Sequence, residues 1–155
     1  MYVFIHMNVK GHEISVHELI DDTDWLLELV CEDCLSWIGY VDCSFESGRL
    51  HILDFKVYTE VPKPWPIVDG LRQFLGFPAS RKNFRGFGLG SYLLDCLLAK
   101  VDTNAVCEVW GEVTQGDIDT TPHLLELYQS RGFSLMSPDE HCMDGTAVKI
   151  IRTGR

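Results

Sequence analysis

The sequence predicts an α/β (α+β) fold, a mixed sheet with helices packed on it, in one domain spanning residues 1–155. Three observations predict it. The 155 residues suit a single domain, and 46% of them are apolar, enough for a sizeable core at this length. Residues 1–58 read as extended runs rich in Val, Ile, Leu and aromatic residues, broken by polar turns. From residue 88 the pattern turns helical twice, and each helical run leads into a further strand. The order is mainly β, then β-α-β-α-β-β, which gives a mixed sheet with helices on it.

Each element follows from local chemistry. Residues 2–9 form a strand rich in Tyr, Val, Phe and Ile, while residues 13–20 fit either a second extended segment or a short helix. Asp21-Asp22-Thr23-Asp24 is a polar turn. Trp25–Val30 and Leu35–Phe45 are strands joined near Glu32-Asp33, and Glu46-Ser47-Gly48 is a hairpin turn into the strand Leu50–Tyr58. Strict alternation there places His51, Leu53, Phe55 and Val57 on one face and Leu50, Ile52, Asp54 and Lys56 on the other. Residues 59–80 form an atypical insert whose stretch Val61-Pro62-Lys63-Pro64-Trp65-Pro66 cannot be a central strand, because its prolines remove donors. Trp65 suits either an aromatic wall for a ligand or packing of the insert onto the domain. A long helix covers about 88–100 and a strand Ala105–Val113, followed by a polar loop Thr114–Thr120. A second helix starts near Thr121, with Thr121 as N-cap and Pro122 at the first helical position. Phe133–Met136 and Thr146–Arg152 are closing strands around the loop Ser137–Gly145.

Charge and cysteine content exclude several classes. The net charge of −10 argues against a nucleic-acid surface, which needs a basic footprint, and mildly favours cationic ligands by long-range attraction. Against that background Arg72, Arg81, Lys82 and Arg85 gather in and before one glycine-rich turn, which fits a polyanionic small molecule. No apolar run has the length of a membrane span, and the N-terminus lacks the basic and small-residue features of a signal peptide. The expectation is a cytoplasmic protein without membrane or nucleic-acid partners. Cys31-Glu32-Asp33-Cys34 has no second pair and no visible helix start, so no metal site is expected.

The chemistry centres on Arg85-Gly86-Phe87-Gly88-Leu89-Gly90-Ser91, which runs straight into the apolar helix. Backbone N–H groups in such a turn can approach an anion closely, and the first helical amides point outward unpaired. The helix dipole adds about half a positive charge there. A flexible loop is the plainer reading. The turn lacks the Gly-Lys-Ser/Thr ending of a nucleoside-triphosphate loop, and its glycines at 86, 88 and 90 do not follow the dinucleotide spacing.

A second block, Leu127-Tyr128-Gln129-Ser130-Arg131-Gly132-Phe133, stands about forty residues on. The pair of blocks, Arg-x-x-Gly-x-Gly before a helix and Leu-Tyr-x-x-x-Gly-Phe before a strand, resembles the GNAT superfamily of acetyl-CoA-dependent N-acetyltransferases. The resemblance covers residues 49–152 well and the start of the chain poorly. It implies a mainly antiparallel sheet whose fourth and fifth strands, here Leu50–Tyr58 and Ala105–Val113, splay into a V. In such a fold the CoA arm pairs with strand backbone at Phe55, Lys56 and Val57. The pyrophosphate sits on Gly86, Phe87, Gly88, Leu89, Gly90 and Ser91, with Arg85 at the motif's first position and Thr121 where the family often has Asn. Tyr128 matches the family's general acid; without the resemblance it is an ordinary core-packing residue. For the base, Glu108, Glu112 and Asp54 are candidates and Glu112 is preferred. The implied co-substrate is acetyl-CoA, and the implied acceptor is a primary amine of a small molecule or peptide attacking directly in a ternary complex. Family members are often homodimers. The alternatives are a non-catalytic CoA-binding or protein-interaction module of the same shape, and an unrelated anion-binding α/β protein. The sequence also departs from the family: residues 10–24 leave no room for the helices usual between the first two strands, and the insert stands where the family has only a few residues.

Overall fold

The computed structural model describes residues 5–9, 11–31, 36–58, 60–62, 81–84 and 86–154. The strands are β1 (Ile5–Val9), β2 (His12–Ile20), β3 (Asp24–Cys31), β4 (Ser36–Glu46), β5 (Arg49–Val57), β6 (Glu60–Pro62), β7 (Arg81–Asn83), β8 (Glu108–Thr114), β9 (Ser134–Met136) and β10 (Thr146–Thr153). The helices are α1 (Leu89–Thr103), α2 (Gln115–Thr120) and α3 (Leu124–Gln129). Eight strands form one sheet in the order β1-β2-β3-β4-β5-β8-β10-β9. Every neighbouring pair is antiparallel except β5 and β8, which run parallel on either side of α1. This is the mixed, mainly antiparallel sheet that the sequence predicts.

Residues 13–20 resolve as strand. Ile14 and Val16 are buried on one side, and Glu18 continues that side and pairs with Lys100 of α1 at 2.7 Å. α1 buries Leu89, Leu93, Leu94, Leu97 and Val101 in a core shared with Trp25, Leu27, Leu29, Val41, Cys43, Leu50 and Ile52. Full burial of each such leucine contributes about 2 kcal/mol. Ile118, Leu124, Leu125, Leu127 and Tyr128, from the two short helices, join the same core.

The shape of the sheet turns on one residue. Cys43 pairs with Ile52, but Asp42 pairs with Asp54, so Leu53 is an extra residue on β5. A bulge of this kind bends its strand and raises the local twist. It also corrects the alternation expected for β5. Leu50 and Ile52 lie on the α1 side and, after the bulge, Phe55 and Val57 join them against the core. His51 stacks on Trp110 across the opposite face, and Asp54 and Lys56 share that face with Tyr40.

The pairing of β5 with β8 stops at the same point. It runs from Arg49↔Glu108 to Ile52↔Gly111 and no further. Beyond it, β5 stays paired with β4 as far as Gly39↔Val57, while β8 continues on β10. The two strands therefore part into a V whose β5 edge, Leu53–Val57, has no strand beside it among the described residues. Gly39 keeps β4 tight on the far end of that arm: a Cβ there would come 2.7 Å from the Lys56 carbonyl oxygen.

Three further corrections concern loops. Thr114–Thr120 is not a loop but α2, started by a capping box in which Thr114 Oγ1 accepts from Asp117 N–H and the Asp117 carboxylate accepts from Thr114 N–H. The second predicted helix consequently begins later, at Leu124, and Thr121 closes α2 instead of capping α3. The strand expected from Ala105 begins at Glu108, because Ala105 turns through a left-handed φ of 46°. Glu60–Pro62, at the start of the insert, pairs with Arg81–Asn83, just beyond its end, as a separate antiparallel ribbon. The expectations for Trp65, Arg72 and Arg85 fall outside the described residues. β1 ends at Val9 and β2 begins at His12, so no helix fits between them.

Candidate functional site

The glycine turn ends in a left-handed Gly88, φ 70°, which serves as N-cap of α1 without any side-chain cap. Gly86 is left-handed too, φ 80°, and at both glycines an added Cβ would meet no atom of the described residues within 4 Å. The first helical hydrogen bond is Tyr92 N–H to the Gly88 carbonyl at 2.9 Å. The amides of Leu89, Gly90 and Ser91 therefore have no helical partner. No acidic residue occupies the first turn. The result is a group of N–H donors at the positive end of a 15-residue helix.

The turn is held from below. Phe84 is buried, and Phe87 packs on it edge-on with centroids 6.4 Å apart. Leu89 is buried as well. At Phe87 and Leu89 the side chain is thus an anchor, leaving the backbone for any ligand. Ser91 is half-buried, and its carbonyl lies 3.5 Å from Arg131 Nη2. Arg131 also makes a forked contact with Asp95, its Nε 2.7 Å from Oδ1 and its Nη2 3.0 Å from Oδ2. That pair ties the end of α3 to α1.

The V opens beside this turn. A Cβ at Gly90 would lie 3.8 Å from both Phe55 Cζ and Val57 Cγ2, so the unpaired arm of β5 runs directly under the start of α1. Lys56 points the other way, its ammonium 5.3 Å from the Tyr58 ring centroid. Tyr128 closes the α1 side, its ring 6.3 Å from Phe55 and 5.3 Å from Phe133. The residue is 3% exposed. Burial above all, with Cys43, Asp117 and Asp54 adding to it, pushes this phenol up, so it is protonated throughout the neutral range.

The carboxylates lie on the opposite face. Glu108 is engaged by Arg49, whose Nε and Nη2 reach Oε1 at 2.8 and 2.6 Å. Glu112 Oε2 accepts from Met143 N–H at 2.8 Å and from the Thr146 hydroxyl at 2.6 Å. Asp54 stands on the unpaired arm of β5 and accepts a hydrogen bond from the Tyr40 hydroxyl. That bond, then burial, pushes Tyr40 up to about 12. His51, stacked 3.6 Å from Trp110, is held below its ordinary value by burial, which outweighs the nearby Glu112. Tyr40 has no signature in the sequence. It meets Asp54 only because the bulge sets Tyr40 opposite Lys56.

No protein-family model matches the sequence, and no curated protein matches it. Solved structures do. An acetyltransferase of the GNAT family from Staphylococcus aureus Mu50 superposes with a TM-score of 0.57 at 11% identity, over 85% of this chain and 69% of that one. Nourseothricin acetyltransferase gives a TM-score of 0.55 at 18% identity, over 99% of this chain and 85% of that one. The PaiA N-acetyltransferase of Thermoplasma acidophilum, crystallised in complex with coenzyme A, gives 0.54 at 12% identity, over 84% of this chain and 61% of that one. The sheet order, the single parallel pair, the V and the glycine turn at the start of α1 together make this a GNAT-like fold.

Proposed function

We propose that the chain is an N-acetyltransferase that moves an acetyl group from acetyl-CoA to a primary amine of a small molecule or peptide, by direct attack in a ternary complex. The observation that carries this reading is a convergence. A helix N-terminus without a side-chain cap, the arm of β5 beyond its last pair with β8 and the buried Tyr128 ring meet where the sheet opens. The residues fit the co-substrate. Amides from Gly86 to Ser91 would hold the pyrophosphate, in space that a side chain at Gly86 or Gly88 would fill. The free edge at Phe55–Val57 would pair with the pantetheine amides, as an added strand would.

Acetyl-CoA supplies the activated acyl group as a thioester. The chain's part is to place it in the V with the α1 side toward the sulfur and the opposite face toward the amine. As the C–N bond forms and the C–S bond breaks, the departing sulfur needs a proton. Tyr128, kept protonated by burial, is the donor on that side. On the amine's side Asp54, its carboxylate held in place by the hydrogen bond from the Tyr40 hydroxyl, takes the ammonium proton, directly or through water. The net charge of −10 draws a cationic amine toward the protein.

The test is calorimetric titration of acetyl-CoA, followed by thiol release with spermidine, kanamycin and an alanine-terminated peptide. Micromolar binding with turnover, reduced by about 10²-fold in Tyr128→Phe, is the expected result. Absence of acetyl-CoA binding by the wild type overturns the reading.

A further inference from the structure

Glu112 is the first residue of β8 beyond the last pair with β5, at the apex of the V. One of its oxygens takes two donors from the loop 137–145 and the residue after it, Met143 N–H at 2.8 Å and the Thr146 hydroxyl at 2.6 Å. The loop is tied down a second time by Asp139, whose carboxylate lies 2.6 Å from Lys149 Nζ. Lys149 is itself buried and sits 5.2 Å from the Trp110 ring centroid. Inside the loop, Asp139 also takes the His141 and Cys142 N–H groups, through a carboxylate oxygen and its backbone carbonyl, and the Met143 carbonyl takes the Thr146 N–H. The segment is thus folded on itself and attached to the sheet at two points. Met143, whose amide is on the Glu112 carboxylate, is 66% exposed.

We infer that Glu112 is a positioning residue: it holds the loop 137–145 beside the V, where the loop and its exposed Met143 contact the acceptor amine. The inference rests on the acetyltransferase reading and assigns the acceptor side of that site. The chemistry separates this role from that of a base. A base must gain and lose a proton in every turnover, and protonating Glu112 would weaken both charge-assisted bonds that hold the loop. A glutamine at this position keeps a carbonyl oxygen able to accept from both donors but has no basicity.

The experiment compares Glu112→Gln, Glu112→Ala and Met143→Ala with the wild type, using whichever of spermidine, kanamycin and the alanine-terminated peptide is turned over best, at saturating acetyl-CoA. Glu112→Gln is expected to keep kcat within about threefold and to keep the acid limb of the pH profile. Glu112→Ala and Met143→Ala are expected to raise KM for the amine by about tenfold, with kcat and acetyl-CoA affinity little changed. Amide exchange gives a readout that needs no acceptor: Met143 N–H is slow in the wild type and Glu112→Gln, and fast in Glu112→Ala. A fall in kcat of about a hundredfold or more in Glu112→Gln, with loss of the acid limb, makes Glu112 the base and overturns the inference. Unchanged Met143 exchange or unchanged KM in Glu112→Ala overturns it as well. Failure of the wild type to bind acetyl-CoA would sink the acetyltransferase reading, and with it the acceptor contact, while the exchange data would still test the tether.

Discussion

Gly90 is the position at which stability and ligand affinity should move in opposite directions. It is the second residue of α1, and among the described residues a Cβ there meets only Phe55 and Val57, at 3.8 Å, normal contact distance. Replacing it with Asp removes a glycine from the first turn, a gain of only about 0.3 kcal/mol because Asp ranks just above Gly in helix propensity. It also puts a negative charge at the positive end of the dipole, worth about 0.3–1 kcal/mol more. The free protein should therefore be as stable as the wild type or more so. The same carboxylate would lie among the amides proposed to hold a pyrophosphate. At about 5 Å and an effective dielectric near 20, each unit of phosphate charge is repelled by about 3 kcal/mol, which is about a hundredfold in affinity or more. Gly90→Ala, neutral and of a size that fits, should retain affinity within a few-fold. The assays are thermal denaturation of the free proteins and calorimetric titration of acetyl-CoA into each. Gly90→Asp binding acetyl-CoA as tightly as Gly90→Ala would refute the placement of the anion on α1. Gly86 and Gly88 are poorer test sites, because any side chain there is strained by positive φ before a ligand arrives.

Two further outcomes follow from geometry already described. Gly39→Ala should destabilise the fold by about 1–3 kcal/mol, as overpacking does, because the new methyl would meet the Lys56 carbonyl at 2.7 Å. The same change should weaken acetyl-CoA binding, since the arm carrying Phe55–Val57 must shift; an unchanged denaturation midpoint counts against it. The Asp139 carboxyl is held down to about 2, chiefly by its hydrogen bond to Lys149 and next by the His141 amide. A depressed carboxylate contributes stability that is present above its ordinary value of 3.8 and is lost as pH falls toward 2. The loop tether should therefore loosen across that window, with the carbon-13 shift of the Asp139 carboxyl titrating near its lower end. Lys149→Met should move that titration back up, and a wild-type midpoint near 4 would contradict the pairing.

The parts of the site written in local chemistry were legible from the residues. The glycine turn and the apolar helix behind it need only nearest neighbours, and so does the block from Leu127 to Phe133. The helix α2 was equally local, since Thr114 and Asp117 carry the spacing of a capping box. Residues 114–120 are polar apart from Ile118 and Gly116, so they read as a loop, and with α2 unread Thr121 takes the capping position it does not hold. What could not be read locally depends on partners far along the chain. Alternation assigned Phe55 and Val57 to the face of His51, because nothing in β5 itself marks Leu53 as the residue its partner strand will skip. Glu112 stood out as a carboxylate beside Trp110 on an inner strand, but its partners, Met143 and Thr146, are more than thirty residues downstream. The Tyr40 hydroxyl reaches Asp54 only through a register that the bulge itself creates.

That bulge has a genetic consequence. On either side of Leu53, β5 is written in two opposite phases. Leu50 and Ile52 face the helix in one, Phe55 and Val57 in the other, and the opening in the sheet coincides with the break between them. Loss of the one codon for Leu53 would leave every other residue of the chain intact. Yet it would either send Phe55 and Val57 out to the face of Asp54 or drag Leu50 and Ile52 out of the core. Point substitution cannot easily abolish the V, because no single side chain makes it. A lineage that loses the opening would do so by an in-frame indel, and one that keeps it must conserve the length of this strand more strictly than its letters.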